Sequence, residues 1–551
     1  MTANSHSPRQ SAIAVSLAAL AILVCLFSHL GAFGLVGPDE PRYAWIAREM
    51  AASGDWVTPR LYGQPWFEKP ALYYWAAAVG FDLHLSPEWA ARLPSALAAL
   101  AVALAIGWLA WRRNAANRDF ANSPALLAPL LFSTSVAAIG FARAATPDML
   151  FSASLTLAMA AAAAVLHRTG VLRDAQVRTP AARRRDILPL AIFGACLGLA
   201  VLAKGPAGIV LAGGAIALWA LATHRWRAAL RLAHPLAIVA FGIVALPWYI
   251  LCARRNPDFI RVFIYQHNFD RYLTPVFQHK QPFLFFVPIV LLALLPWTVL
   301  LLPAVQECVR QRREKSWHDS PGLFFSCWAI FPILFFSFSQ SKLPGYILPA
   351  VPPLALLLAL ACKKLINSDS QSSRVLTTAL VMTWIGIGLS SSFLLRRVPP
   401  SAQDAVGPMV VICGALAIAG AIAVKAYGLF RRRATVIIPA LLVALLVEIA
   451  GARVLPALDP YLSAREHAAT LHNDRRPDRI FTYRLNRSWN FGLAFYLGRE
   501  IPEWSPSDRE AAFLLTTPQS LEDLRKLGRV SGTLDETYRG VLYVPVLPAP
   551  R

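Results

Sequence analysis

Uncharged stretches of about twenty residues recur so often along this chain that they leave little choice of fold. A helix needs roughly 20 apolar residues to cross about 30 Å of hydrocarbon, and within a bilayer only helices and closed barrels satisfy their own backbone hydrogen bonds. Such runs lie near 11–33, 88–110, 124–142, 149–166, 187–203, 206–222, 234–252, 282–303, 322–339, 345–362, 375–395, 407–426 and 434–451. They predict an all-α polytopic membrane protein with about thirteen transmembrane helices. Composition agrees: 56% of the 551 residues are hydrophobic, 15% are charged and the mean hydropathy is +0.48, values that a soluble chain of this length rarely combines. The first run exceeds the roughly 7–15 residues of a signal-peptide core and has no clear small-residue cleavage site after it, so it counts as the first span.

The formal net charge of +22 raises the question of nucleic acid, but the basic residues are not gathered in one domain. They sit in short loops at Trp111-Arg112-Arg113, Arg183-Arg184-Arg185, Arg225 to Arg231, Arg310 to Lys315, Lys363-Lys364 and Arg431-Arg432-Arg433. With thirteen spans all of these fall on one side, which puts the N-terminus in the cytoplasm and the C-terminus outside. Arg254-Arg255 and Arg396-Arg397 fall on the other side, a modest violation. The electrostatic partners expected are membrane lipids with anionic head groups, and no nucleic acid. Seven scattered cysteines, with no CxxC or other close pair, argue against a disulfide framework or a cysteine-based metal site. No internal repeat points to an inverted-repeat transporter.

Residues 1–455 read as the transmembrane domain, with three outer segments longer than turns. The first, 34–87, holds two helices expected to lie along the interface. Pro41 suits a first helical turn and Tyr43, Ile46, Ala47 and Met50 follow at helical spacing; Ala71 to Phe81 reads the same way. The second, 253–281, is rich in Phe, Tyr, His and Arg. The third, 456–551, turns charged and mixed. Strands are expected at Arg479 to Arg484, Ala511 to Thr516 and Gly540 to Val546, and helices at Trp489 to Leu497 and Ser520 to Leu527. That makes a small α/β domain without a catalytic motif, one that covers or trims a site.

Charge at the outer edge of the hydrocarbon costs several kcal/mol unless paired, solvated or used. Asp39 and Glu40 stand directly after the first span. Glu40 reads as an acid favoured by a helix N-terminus, Asp39 as a carboxylate that orients or deprotonates an acceptor. Arg42 and Tyr43 follow at once and join the candidate binding residues. In Trp66-Phe67-Glu68-Lys69-Pro70, Lys69 suits a phosphate as a point charge, and Glu68 suits orienting it or binding a metal. Asp148, at the end of the Phe141 to Asp148 turn, either caps the next helix or faces the same outer cavity with Arg143 in reach. His267, within Tyr265 to Tyr272, pairs with Glu68 as two ligands of an open metal site, short of the four that a closed zinc site wants. Lys342, in the Ser339 to Tyr346 turn, either snorkels or joins Lys69, Arg271 and Lys204 in a basic cradle for phosphates, with Tyr346 at the top of the next span.

At this point the residues resemble a known group. GPDEPRYAWIAREMAASGDWVTPRLYGQPWFEKPALYYW is similar to the first outer loop of bacterial GT-C glycosyltransferases that use polyprenyl-phosphate sugars. The nearest resemblance is to the 4-amino-4-deoxy-L-arabinose lipid A transferase (ArnT-like) family, related to protein O-mannosyltransferases. RAATPDM, LAKGP, QHNFDRY…HKQPF and SQSKLPGYILPA follow in the same order. The resemblance is good over residues 10 to 360 and one of plan beyond. It implies a GT-C fold and transfer of the sugar from undecaprenyl phosphate to a lipid A phosphate, by a monomer in the bacterial inner membrane with its site facing the periplasm. It implies that Asp39 is the catalytic carboxylate, Asp148 a second site acid and Lys69 a carrier-phosphate contact. Glu68 and His267 match a pair holding zinc or another divalent cation, and Lys342 and Tyr346 match polar cavity residues. The outer-loop motifs hardly discriminate the sugar, so a GT-C enzyme with another sugar or acceptor stays open. A lipid flippase fits less well, because the ionisable residues gather at one face rather than at the midplane.

Overall fold

The computed structural model describes residues 8–113, 123–168, 180–274, 281–314, 317–366, 371–398, 400–428, 434–473, 480–508, 510–528, 530 and 542–546. Every apolar run read from the sequence is helical in it. By length and composition, eight of the described helices can cross a membrane, and two bent helix pairs raise that to ten if each pair is one span. Three further apolar helices, Ala12–Phe27, Ala207–Thr223 and Pro321–Ser337, are shorter. The chain is a multi-pass membrane protein built almost wholly of helix.

The two bent pairs meet at their breaks. Pro124–Ser133 turns into Val136–Ala142 through 63°, and Phe283–Ala293 into Trp297–Arg313 through 109°. At the first break the Thr134 and Ser135 hydroxyls bond back to the Leu130 and Phe132 carbonyls, in competition with the helical ladder. The freed groups find partners on the other broken helix: Val136 N–H donates to the Leu295 carbonyl (3.0 Å) and Trp297 Nε1 to Thr134 Oγ1 (3.0 Å). Non-helical backbone at this depth is thereby buried in protein, the condition a bilayer sets.

After the first helix, Pro8–Phe27, the chain turns into the helix Asp39–Ser53, with both acids in its first turn. That helix stops at Gly54, whose φ of +68° suits the left-handed cap and whose N–H returns to the Met50 carbonyl. A short hairpin, Arg60–Leu61 with Gln64–Pro65, leads to the helix Leu72–Asp82, pinned to the long helix Pro87–Arg113 by Tyr73 Oη on the Ala91 carbonyl (2.8 Å). Both helices of this segment bury one face in the main core, Tyr43, Ile46, Ala47 and Met50 from one, Tyr73, Tyr74 and Ala77 from the other.

The break expected at residue 455 falls inside a helix, because the run Thr435–Leu462 is continuous. The tail then forms a three-stranded sheet. Ile480–Thr482 pairs in parallel with Ala512–Thr516, which pairs antiparallel with Leu542–Val546, and the helices Arg487–Leu497 and Pro518–Lys526 accompany it. Arg479, Gly540 and Val541, at the edges of the expected strands, lie outside the described residues. The helix Arg487–Leu497 packs on Asp39–Ser53, and its Phe495 belongs to the main core.

Candidate functional site

Six loops that are far apart in sequence are tied into one constellation. Asp39 is 53% exposed, and its Oδ1 accepts from the Arg42 guanidinium at 2.6 Å, one helical turn on. Arg42 is buried and also reaches Glu68 Oε2 at 3.0 Å, while Lys69 Nζ lies 3.4 Å from Glu68 Oε1. The result is a chain of alternating charge, Asp39–Arg42–Glu68–Lys69. Burial opposes the Arg42 charge, but the carboxylates of Glu68 and Asp39 outweigh it and hold the guanidinium ionised. Tyr43 and Tyr74, edge to face beside this chain, are pushed well above the ordinary phenol range, by burial first and by Glu68 next. They stay protonated donors at any physiological pH.

Glu40 does something else. It is buried, pairs with Arg92 through both oxygens (3.3 and 2.7 Å), and accepts the backbone N–H groups of Val36 (2.9 Å) and Ala145 (2.7 Å). Arg92 is wholly buried and spends its remaining donors on the carbonyls of Leu30, Phe33 and Gly34. This knot fastens the Asp39 turn to the turn that carries Asp148.

Asp148 opens the helix Asp148–Arg168 and is ion-paired with Lys204, whose ammonium also lies 5.2 Å from the Tyr346 ring centroid and 5.8 Å from that of Phe151. A Cβ placed on Gly345 would come within 3.3 Å of Asp148 Oδ1, so the 339–346 turn abuts that acid. Gly205, next to Lys204, approaches Asn268 and Phe263 as closely, which brings in the 260–270 segment. His267 and Glu68 line one cleft of about 440 Å³, together with Trp66, Asn256, Asp258 and Arg261.

The structure thus brings together Asp39, Arg42, Tyr43, Glu68 and Lys69, joins Asp148, Lys204 and Tyr346, and sets Glu68 and His267 on one cleft. Arg143 is not Asp148's partner. It is spent on the carbonyls of Val24, Cys25 and Ser28 at the end of the first helix, where backbone acceptors run short of intrahelical donors, although Val24 also takes the Ser28 N–H. Lys342 is buried and donates to the carbonyls of Ser339 (2.6 Å) and Gln281 (3.0 Å), so its charge is held by its own turn and the start of the 281 segment. The side chain of Arg271 and residues 275–280 lie outside the described residues. Among the described residues no group of three or more His, Cys, Asp or Glu side chains is placed to hold a metal ion, so a closed zinc site is absent there. Glu68 and His267 offer two donors, and Arg42 and Lys69 already draw on the first.

Sequence reading missed Arg92, which looks like an interfacial cation at the start of a span, and Phe491, a tail residue whose ring centroid lies 5.5 Å from the Arg42 guanidinium carbon. Nothing in the local sequence of either signals the contact.

The family described as dolichyl-phosphate-mannose-protein mannosyltransferase matches residues 12–263. The chain is 32% identical over 363 residues to an undecaprenyl phosphate-alpha-4-amino-4-deoxy-L-arabinose arabinosyl transferase of Edwardsiella ictaluri, covering 66% of this chain. That alignment spans 61% of the relative, less than two thirds of its length. A transferase of the same description from Sodalis glossinidius is 32% identical over 452 residues, 80% of this chain and 76% of that protein. The fold is similar to the crystal structure of ArnT from Cupriavidus metallidurans bound to undecaprenyl phosphate, with a TM-score of 0.78 at 24% identity, over 99% of this chain and 100% of that one. At that identity the likeness speaks for the GT-C fold.

Proposed function

The chain belongs to the undecaprenyl phosphate-alpha-4-amino-4-deoxy-L-arabinose arabinosyl transferase family, and on that premise we propose that it moves 4-amino-4-deoxy-L-arabinose from undecaprenyl phosphate to a phosphate of lipid A. It works as a monomer in the bacterial inner membrane, with its site toward the periplasm and the tail as a cover. The observation that carries this reading is the exposed Asp39 carboxylate, held by the buried Arg42 in line with Glu68 and Lys69.

As the sugar leaves its carrier, positive charge develops at the anomeric carbon and negative charge on the departing phosphate. Preorganised cations stabilise the second: Lys69 stands at the end of the charge chain, and Lys204 is already turned toward the site by Asp148. A phosphate acceptor is ionised at neutral pH, so Asp39 needs no strong basicity. It orients the acceptor opposite the leaving group and offsets the charge on the sugar, which inverts the anomeric centre. A divalent cation held by Glu68 and His267 would draw its other ligands from solvent or phosphate and would neutralise charge on the carrier phosphate; no step above depends on it. The match to protein mannosyltransferases favours one second reading, a hydroxyl acceptor, for which Asp39 would have to serve as a true base.

Mass spectrometry of lipid A from cells with and without this chain tests the proposal. A pentosamine increment on phosphate is expected; a hexose on protein instead supports the second reading. Asp39→Asn should lower transfer on the order of 10²-fold while carrier-lipid binding persists, and unchanged transfer refutes the role of Asp39.

A further inference from the structure

The helix Arg487–Leu497 reaches the site from the far end of the chain, bringing one aromatic ring and one unneutralised cation. Phe491 packs against the main core, with the guanidinium carbon of Arg42 5.5 Å from its ring centroid. The guanidinium carbon of Arg487, one turn earlier on the same helix, lies 5.7 Å from that centroid. Two positive charges therefore stand within about 11 Å of each other around a single ring. Their situations differ. Arg42 is buried and shared between Asp39 and Glu68. Arg487 is exposed, and among the described residues no carboxylate pairs with it.

The position is an unfavourable one for an idle cation. Arg487 occupies the first turn of its helix, where the dipole is positive and no acidic residue stands beside it. Two other arginines of the tail are neutralised, Arg465 by Asp459 and Glu88, Arg484 by Asp523. Arg487 is left facing water, on the ring that also touches the arginine holding Asp39.

We propose that Arg487 is an acceptor-specificity residue, whose guanidinium takes a phosphate of the incoming glycolipid, with Phe491 keeping it in register with Arg42. The planar fork suits bidentate contact with phosphate oxygens. This rests on the reading of the chain as a transferase to a phosphorylated glycolipid. The phosphate is the acceptor's rather than the carrier's. The carrier's phosphate already has Lys69 and Lys204 in this reading, whereas Arg487 stands on the polar segment beyond the last span.

The test uses the full chain in proteoliposomes, with undecaprenyl phosphate-linked 4-amino-4-deoxy-L-arabinose as donor. The acceptors are lipid A with two phosphates and lipid A with one. For Arg487→Gln the KM for the doubly phosphorylated acceptor should rise about tenfold, with the donor KM and kcat changing less than about threefold. Wild type and variant should converge on the singly phosphorylated acceptor. Arg487→Lys should recover part of the loss, and Phe491→Leu should raise the same KM while Phe491→Tyr should not. An unchanged acceptor KM in Arg487→Gln, or a rise in the donor KM instead, overturns the proposal while leaving the transferase reading intact. A wild-type chain inert on every phosphorylated acceptor sinks both.

Discussion

Replacing Arg92 with methionine would test how the two acids of the site are held at their spacing. The buried guanidinium makes five hydrogen bonds, two to the Glu40 carboxylate and three to the carbonyls of Leu30, Phe33 and Gly34. Methionine fills much of the same volume but leaves Glu40 buried with only the Val36 and Ala145 amides for company. A buried ion pair stripped of one partner loses about 3–5 kcal/mol, and the three abandoned carbonyls push the loss toward the upper figure. Adding Glu40→Gln removes the stranded charge and keeps one acceptor oxygen, so the double variant should regain about 2 kcal/mol over Arg92→Met. Activity should suffer even where the protein still folds. Ala145 lies three residues before Asp148 and Glu40 one after Asp39, so a slip of about 1 Å between the two turns costs on the order of 10²-fold in rate. Thermal melting in detergent and initial transfer rates in proteoliposomes report the two effects separately. If Arg92→Met melts and turns over with the wild type, or if the two substitutions simply add, the knot does not hold the site.

Two further outcomes are expected. Burial of the Asp55 carboxyl raises its pKa, but the N–H groups of Val57 and Thr58 and the charges of Arg255 and Arg60 outweigh it, so the net shift is downward. A depressed carboxylate adds stability above its unfolded pKa of about 3.9 and loses it as pH falls through the lower folded value. Asp55→Asn keeps an oxygen for the two amides and loses the near-surface pairs with Arg255 and Arg60, so it should cost about 1 kcal/mol near neutral pH, and its melting curve should merge with that of the wild type in strong acid; a gap that persists there would contradict the assignment. For the metal, elemental analysis of purified protein equilibrated with zinc should find the ion in wild type and lose it in both Glu68→Ala and His267→Ala, whereas equal content in all three removes the pair from consideration.

The helices were legible because each needs only an uninterrupted apolar run, and the outer-loop motifs were legible because their charges sit beside hydrocarbon, where chance rarely leaves them. Asp39, Glu68 and Lys69 could be picked out on that ground alone, and Glu40 already read better as a structural acid. What sequence could not show is which cation each carboxylate takes. Arg143 and Lys342 look as available as Lys204, yet the first caps the end of a helix and the second its own turn, because unsatisfied carbonyls compete for the same donors. Arg92 and Phe491 were invisible for another reason. Their partners lie about 50 and 450 residues away in sequence, and no local periodicity encodes a contact made by folding the tail back onto the first outer loop. The change to a charged, mixed composition after residue 455 says nothing of the backbone there: the helix Thr435–Leu462 runs through it, and Asp459 takes the Gly34 N–H and Arg465.

The two broken helices carry a consequence for biogenesis. The segment around Val136 leaves the ribosome about 160 residues before Leu295 and Trp297, the groups that complete it. Until they arrive, its bare amide has only lipid or trapped water for company. An insertion intermediate should therefore linger between the two events, and chaperones of membrane insertion, or proteases that survey half-made proteins, would have their opportunity there.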